Sequence, residues 1–149
     1  FNMKTAGSHL DFDLDLAVKQ SNENPVFYVQ YAHARICSII RKLAEEGISL
    51  DTAKDVDLTL LCKEEEIELM RKLAEYPEEI TMAAKTLEPS RITRYVMEVA
   101  SCFHTFYNSC RVKGEEENLM MARLMLADCT RIVIRNVLEL LSISAPEKM

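Results

Sequence analysis

From Arg91 to Arg111 the chain runs without a glycine or a proline, and Ile92, Tyr95, Val96, Val99, Phe103, Phe106 and Cys110 recur mainly at steps of three and four. That spacing places the apolar side chains on one face of an α-helix. No other feature constrains the fold as strongly, because a chain that keeps this period over several turns must bury the resulting stripe against another element. The whole sequence continues the theme, with only 3 Gly and 4 Pro among 149 residues. An all-β fold needs turn residues at short intervals. The expected fold is therefore all-α, a bundle of about five main helices joined by short links.

Helix boundaries follow from local chemistry. Asn24 is a capping residue and Pro25 suits the first helical position. Val29, Ala32, Ile36, Ile39, Ile40 and Leu43 then form one stripe, and Gly47 marks the stop after Glu46. Residues 48–62 carry mixed signals, with a loop expected over residues 55–58. A second helix is expected from Lys63 to Leu73, with Ile67, Met70 and Leu73 inward. Pro77 ends it and starts the next at Glu78, which carries Ile80, Ala83, Ala84 and Leu87. Pro89 breaks again, and Ser90 is expected to cap the long helix. Gly114 ends that helix. Glu115, Glu116 and Glu117 suit a new helix N-terminus through the macrodipole. The final helix is expected to bury Leu119, Ala122, Leu126, Cys129, Val133, Val137 and Leu140, and Pro146 forbids its continuation. Residues 1–24 differ from the rest and suggest a short helix or extended piece ending in a polar linker.

Size and composition narrow the function classes. The length suits a single domain able to bury a core without disulfides or metal. The net charge of −6 counts against broad phosphate binding but permits a small basic face. The 5 cysteines, at 37, 62, 102, 110 and 129, form no CxxC pair and are expected to be reduced and buried in a cytoplasmic protein. No uninterrupted apolar run suggests a membrane span, and no signal-peptide pattern opens the chain. A sequence that begins at Phe1 is expected to be a piece of something larger.

The sequence offers little catalytic chemistry. Asp11, Asp13 and Asp15 match the first ligands of a calcium loop, but Leu16 and Asn22 stand where that loop requires glycine and glutamate. His9, His33 and His104 form no HxxxH pair, and each reads as a surface or core histidine. Ser101 and His104 lie one turn apart without a partner. Glu64–Glu66 and Glu115–Glu117 read as solvated helix N-termini. The glycines are isolated, so no phosphate-cradling loop forms.

Three segments carry a resemblance. The first is Asn24-Pro25-Val26-Phe27-Tyr28-Val29-Gln30-Tyr31-Ala32-His33-Ala34-Arg35-Ile36. The second is Glu88-Pro89-Ser90-Arg91-Ile92-Thr93-Arg94-Tyr95, continuing into Phe103-His104-Thr105-Phe106-Tyr107. The third is Ala122-Arg123-Leu124, continuing to Ala145-Pro146-Glu147-Lys148-Met149. In order and spacing they resemble the C-terminal anticodon-binding domain, the DALR domain, of arginyl-tRNA synthetases. The resemblance spans essentially the whole chain. It implies that residues 24–149 form the anticodon-binding bundle and residues 1–23 the tail of a catalytic domain. The chain departs from the family where Val137 and Ser142 stand in place of common glycines.

The resemblance implies an enzyme as the parent, an arginine–tRNA ligase using ATP and magnesium. The HIGH-like and KMSK-like motifs of its catalytic domain are absent here, so this piece is expected to hold no catalytic site, cofactor or metal. The implied partners are arginine tRNA, through its anticodon loop, and the catalytic domain of the same chain, with no membrane and no DNA. Tyr31, Tyr107 and Met149 are the implied anticodon contacts. Unpaired bases are read by stacking and by hydrogen bonds to their edges, and a stacked base contributes roughly 1–3 kcal/mol. Tyr107 also falls off the main apolar stripe of its helix, an independent sign of exposure. Arg35, Arg111 and Lys113 are candidate phosphate contacts. Arg91 and Arg94 are equally explained by solvation, and Arg123 and Arg131 by intramolecular bonds. The rival reading is a helical protein-interaction domain without an RNA role. Clustering of Tyr31, Tyr107 and Met149 on one face beside positive charge separates the two. A DALR domain of a cysteinyl or methionyl enzyme is a further alternative, against which the QYAHARI run discriminates.

Overall fold

A computed structural model describes residues 9, 11, 13–50 and 56–149. Among these residues the regular structure is entirely helical: α1 (Leu14–Val18), α2 (Pro25–Glu45), a 3₁₀ turn (Leu58–Leu60), α3 (Glu64–Ala74), α4 (Tyr76–Thr86), α5 (Ser90–Ser109) and α6 (Glu117–Leu140). The five longer helices form the bundle, and α1 is an appendage. Helix α5 lies at the centre, packed on α2, α3, α4 and α6, while α6 also closes on α2 and α3. The stripe read along α5 is the core: Val96, Val99, Phe103, Phe106 and Cys110 are all fully buried.

The caps explain most of the boundaries. Asn24 accepts from the Val26 amide at 3.1 Å, and its Nδ2 donates to the carbonyls of Ala17 and Lys19. The same side chain thus starts α2 and ties down the segment before it. Asp13 caps α1 by accepting from Leu16 N at 3.0 Å, which gives this carboxylate a structural role instead of a calcium-loop one. Asp57 caps the 3₁₀ turn, so residues 56–58 lead into helical structure; Asp55 lies outside the described residues. Gly47, at φ +82°, closes α2 with the left-handed residue that such C-terminal turns favour.

Several expectations change. Ser90 does not cap α5; it is buried as the first helical residue, its carbonyl accepting from Thr93 Oγ1. Helix α4 starts at Tyr76, because a proline is tolerated in the first turn, where its missing N–H has no helical acceptor to lose. Ala84 and Leu87 face solvent, since Leu87 has already left the helix at φ +56°. In α6 the buried set is Met120, Ala122, Arg123, Leu124, Leu126, Ala127, Thr130, Ile134, Val137 and Leu138. Cys129 and Leu140 are exposed, and Leu119 and Val133 only half-buried. A helix covered by several neighbours buries a broad face, and a narrow stripe picks out one flank of it. Of the cysteines only Cys110 is buried; Cys62 and Cys129 are exposed and Cys37 and Cys102 intermediate.

Glu66 is the largest departure. It is 1% exposed rather than solvated. Its Oε2 accepts from the Lys63 amide at the start of α3, and its Oε1 from Arg123 Nε of α6 at 2.6 Å. Arg123, also 1% exposed, donates from Nη1 to the Arg111 carbonyl at 2.6 Å and pairs with Glu115 at 3.2 Å. One buried ion pair therefore joins α3, α6 and the connection between α5 and α6. Arg131 is internally paired as well, with Asp128 at 2.7 Å.

Candidate nucleic-acid interface

Helices α2 and α5 run past each other so that one turn of each brings its aromatic residues together. Tyr28 and Tyr31 lie one turn apart on α2, and His104 and Tyr107 occupy the facing turn of α5. The His104 ring sits 5.0 Å from Tyr28, 6.0 Å from Tyr31 in a stacked arrangement, and 5.7 Å from Phe103. Arg35, one turn beyond Tyr31, lays its guanidinium 4.3 Å from the centre of the Tyr107 ring and 5.8 Å from that of Tyr31. It bridges the two tyrosines by cation–π contact, an interaction of about 0.5–1 kcal/mol at an accessible site.

The C-terminal segment completes the face. Helix α6 ends in a tight turn: Ile143 N donates to the Leu138 carbonyl at 2.8 Å and Ser142 N to that of Glu139 at 2.9 Å. Ser142 adopts φ +57°, the left-handed conformation for which glycine is the natural residue. The turn sends residues 143–149 back across α2. Gln30 Nε2 donates to the Ser144 carbonyl at 2.8 Å, and His33 Nδ1 to the Pro146 carbonyl at 2.9 Å. Met149 comes to rest, half-exposed, beside Tyr31 and Arg35.

Two adjoining grooves share this ridge. One, of about 450 Å³, is lined by Asn22, Phe27, Tyr28, Tyr31, Arg35, His104, Asn108 and Met149. The other, of about 390 Å³, takes in Tyr31, Arg35, Arg41, Lys148 and Met149. Arg111 and Lys113 stand apart, with Tyr107, on a third and more apolar groove at the far end of α2. Lys113 is bonded there to Glu46 at 2.5 Å, which offsets part of its charge. So Tyr31, Arg35 and Met149 share the first two grooves, Arg35 links them to Tyr107, and Tyr107 in turn adjoins Arg111 and Lys113. Arg91 and Arg94 lie elsewhere, by the start of α5, where Arg91 pairs with Glu79 at 2.9 Å.

Burial, and then the nearby Arg35, hold the His104 imidazole below its ordinary pKa. Burial does the same for His33. Both rings are therefore neutral at physiological pH, and each has one donor and one acceptor nitrogen. Nε2 of His104 is buried without a hydrogen-bond partner. Tyr28, His104 and Asn108 escaped the sequence reading, although Tyr28 precedes Tyr31 by one helical turn and His104 precedes Asn108 by another. Those spacings place each pair on a common face.

With this geometry in view, comparison with known proteins is decisive. The profile of the DALR anticodon binding domain matches residues 29–149. The chain belongs to that family. The whole chain is 69% identical over 149 residues to the arginine–tRNA ligase of Ruminiclostridium cellulolyticum, covering 100% of this chain and 26% of that protein. The match to the arginine–tRNA ligase of Acetivibrio thermocellus has the same identity and coverage. The chain thus spans about a quarter of the length of these curated relatives. Among solved structures it superposes on the Thermus thermophilus arginyl-tRNA synthetase with a TM-score of 0.78 and 28% identity, covering 94% of this chain and 24% of that one. No helix among the described residues is long and apolar enough to cross a membrane.

Proposed function

We propose that this DALR domain binds arginine tRNA through its anticodon loop, so that a parent arginine–tRNA ligase can attach arginine. The observation that carries this reading is the convergence of Tyr31, Arg35, Tyr107 and Met149 on one face, contributed by three separated parts of the chain. A chain with net charge −6 has no general reason to attract RNA, yet here Arg35, Arg41 and Lys148 outnumber the one acid, Glu147, in the groove that Tyr31 lines. Bases of the loop stack on Tyr31 and Tyr107 and against the polarizable Met149 thioether. The amides of Asn22 and Asn108 offer donors and acceptors for base edges. Arg35, Arg111 and Lys113 meet phosphates, and Arg35 at the same time holds the tyrosines in place.

In this reading residues 24–149 form the recognition module. Residues 1–23 lead from the catalytic domain of a cytoplasmic enzyme. ATP and magnesium act in that catalytic domain, whose nucleotide-binding motifs this sequence lacks. Footprinting of the parent enzyme on arginine tRNA tests the proposal. Protection of the anticodon loop, lost when its bases are altered, is the expected result. In the same enzyme Tyr107→Ala slows aminoacylation mainly by weakening tRNA binding. An unprotected loop overturns the reading, and unchanged tRNA kinetics in that variant overturn the role of Tyr107.

A further inference from the structure

Met149 is held in the aromatic groove by residues that do not themselves line it. The last helix ends at Leu140, and residues 143–149 have no regular secondary structure of their own to keep them on the surface of α2. Two side chains one turn apart on α2 do so. Gln30 Nε2 donates to the Ser144 carbonyl at 2.8 Å and lies 3.1 Å from Ser144 Oγ. His33, buried and neutral, donates from Nδ1 to the Pro146 carbonyl at 2.9 Å. Ile143 and Ala145, on either side of Ser144, add apolar packing against the core to these two bonds. The segment then reaches Glu147, Lys148 and Met149, which are exposed beside Tyr31, Arg35 and Arg41.

We propose that Gln30 and His33 are positioning residues for RNA binding: they strap the C-terminal segment to α2 and thereby fix Met149 as one wall of the base-stacking groove. The proposal rests on the reading of this face as an RNA site. The physical basis is preorganisation. A free terminal segment would have to surrender its conformational freedom each time RNA bound, whereas a strapped one has already done so on folding. Both bonds go to backbone carbonyls of the strap, so they set its path whatever side chains it carries.

Two measurements on the 149-residue chain separate the possible failures. The first is trimming by carboxypeptidase, which reads the strap without RNA. Gln30→Leu and His33→Leu are expected to speed release of Met149, while His33→Asn, which keeps a donor near the Nδ1 position, restores slow release. Unchanged trimming in both leucine variants overturns the proposal. Gln30 is accessible, so its variant serves even if His33→Leu fails to fold. The second is the affinity for a hairpin carrying the anticodon arm of arginine tRNA, measured for the same substitutions in the full chain and in a chain lacking residues 148–149. In the full chain each leucine substitution weakens binding about two- to tenfold, the worth of one hydrogen bond. In the shortened chain, itself weaker, the substitutions have no further effect. Equal losses in both backgrounds would show that Gln30 and His33 act on the bundle rather than through Met149, and would overturn the proposal. If trimming responds as expected but the hairpin does not bind, the strap stands as a structural feature, while the RNA-site reading and the positioning role built on it fall together.

Discussion

Ser142→Gly should raise the stability of this chain while leaving its surface chemistry intact. Ser142 sits at the residue after the α6 cap with φ +57°, and the hydrogen bonds from Ile143 to Leu138 and from Ser142 to Glu139 fix it there. An L residue in the left-handed region carries a penalty of roughly 1–2 kcal/mol that glycine avoids. Against this, glycine adds freedom to the unfolded chain worth about 0.4–1 kcal/mol. The net gain is on the order of 0.5–1 kcal/mol. With an unfolding entropy of about 2.1 cal/mol/K per residue, a chain of this length should melt about 2–3 °C higher. Differential scanning calorimetry of wild type, Ser142→Gly and Ser142→Ala reads the effect. Alanine keeps the Cβ that causes the penalty, so its melting temperature should stay close to wild type. A glycine variant that melts lower than wild type, or an alanine variant that gains as much, would refute the conformational argument.

Glu66→Ala leaves Arg123 buried with one carboxylate partner fewer, and removal of one member of a buried pair typically costs about 3–5 kcal/mol; urea unfolding checks this, and a loss below about 1 kcal/mol would show that Glu115 compensates. Acidification should also destabilise the fold. His33 and His104 have folded pKa values held below the ordinary value of about 6.5, so the unfolded state binds protons first, and the stability they contribute is present above that value and lost as pH falls toward the folded pKa values. Each contributes at most about 1.4 kcal/mol per pH unit, so His104→Phe should show a shallower decline between pH 7 and 5 than wild type. Arg35 faces His104, and Arg131, Glu147 and Arg135 face His33. An equal decline in both proteins would mean that His104 is not held neutral.

The helices themselves were legible because capping residues and the apolar period agree in α2 and α5. Asn24, Pro25 and Gly47 frame α2 as read, and every residue assigned to the α5 stripe is buried. Legibility failed where a residue's role depends on a distant partner. Glu66 looks like one of three solvated acids until Arg123, far along the chain, is placed against it. The α6 stripe was misread because several neighbours bury a face wider than one row of side chains. At the site, the resemblance names Tyr31, Tyr107 and Met149, and Arg35 is a candidate phosphate contact; that Arg35 bridges the two tyrosines is a tertiary fact. Tyr28, His104 and Asn108 were missed because a helix period cannot say which turn of α5 meets which turn of α2. The strap was invisible for the same reason: Gln30 and His33 bond to backbone carbonyls, which leave no trace in sequence.

On the proposed reading, the face built from α2, α5 and the C-terminal segment recognises the anticodon loop. Its most direct test is the affinity of this chain for the anticodon hairpin of arginine tRNA, beside a hairpin of the same stem with its anticodon bases replaced. Weak, salt-sensitive binding of the first, markedly poorer binding of the second, and loss of that preference in Tyr31→Ala are expected. Equal affinity for the two hairpins, or a preference that survives Tyr31→Ala, would contradict it.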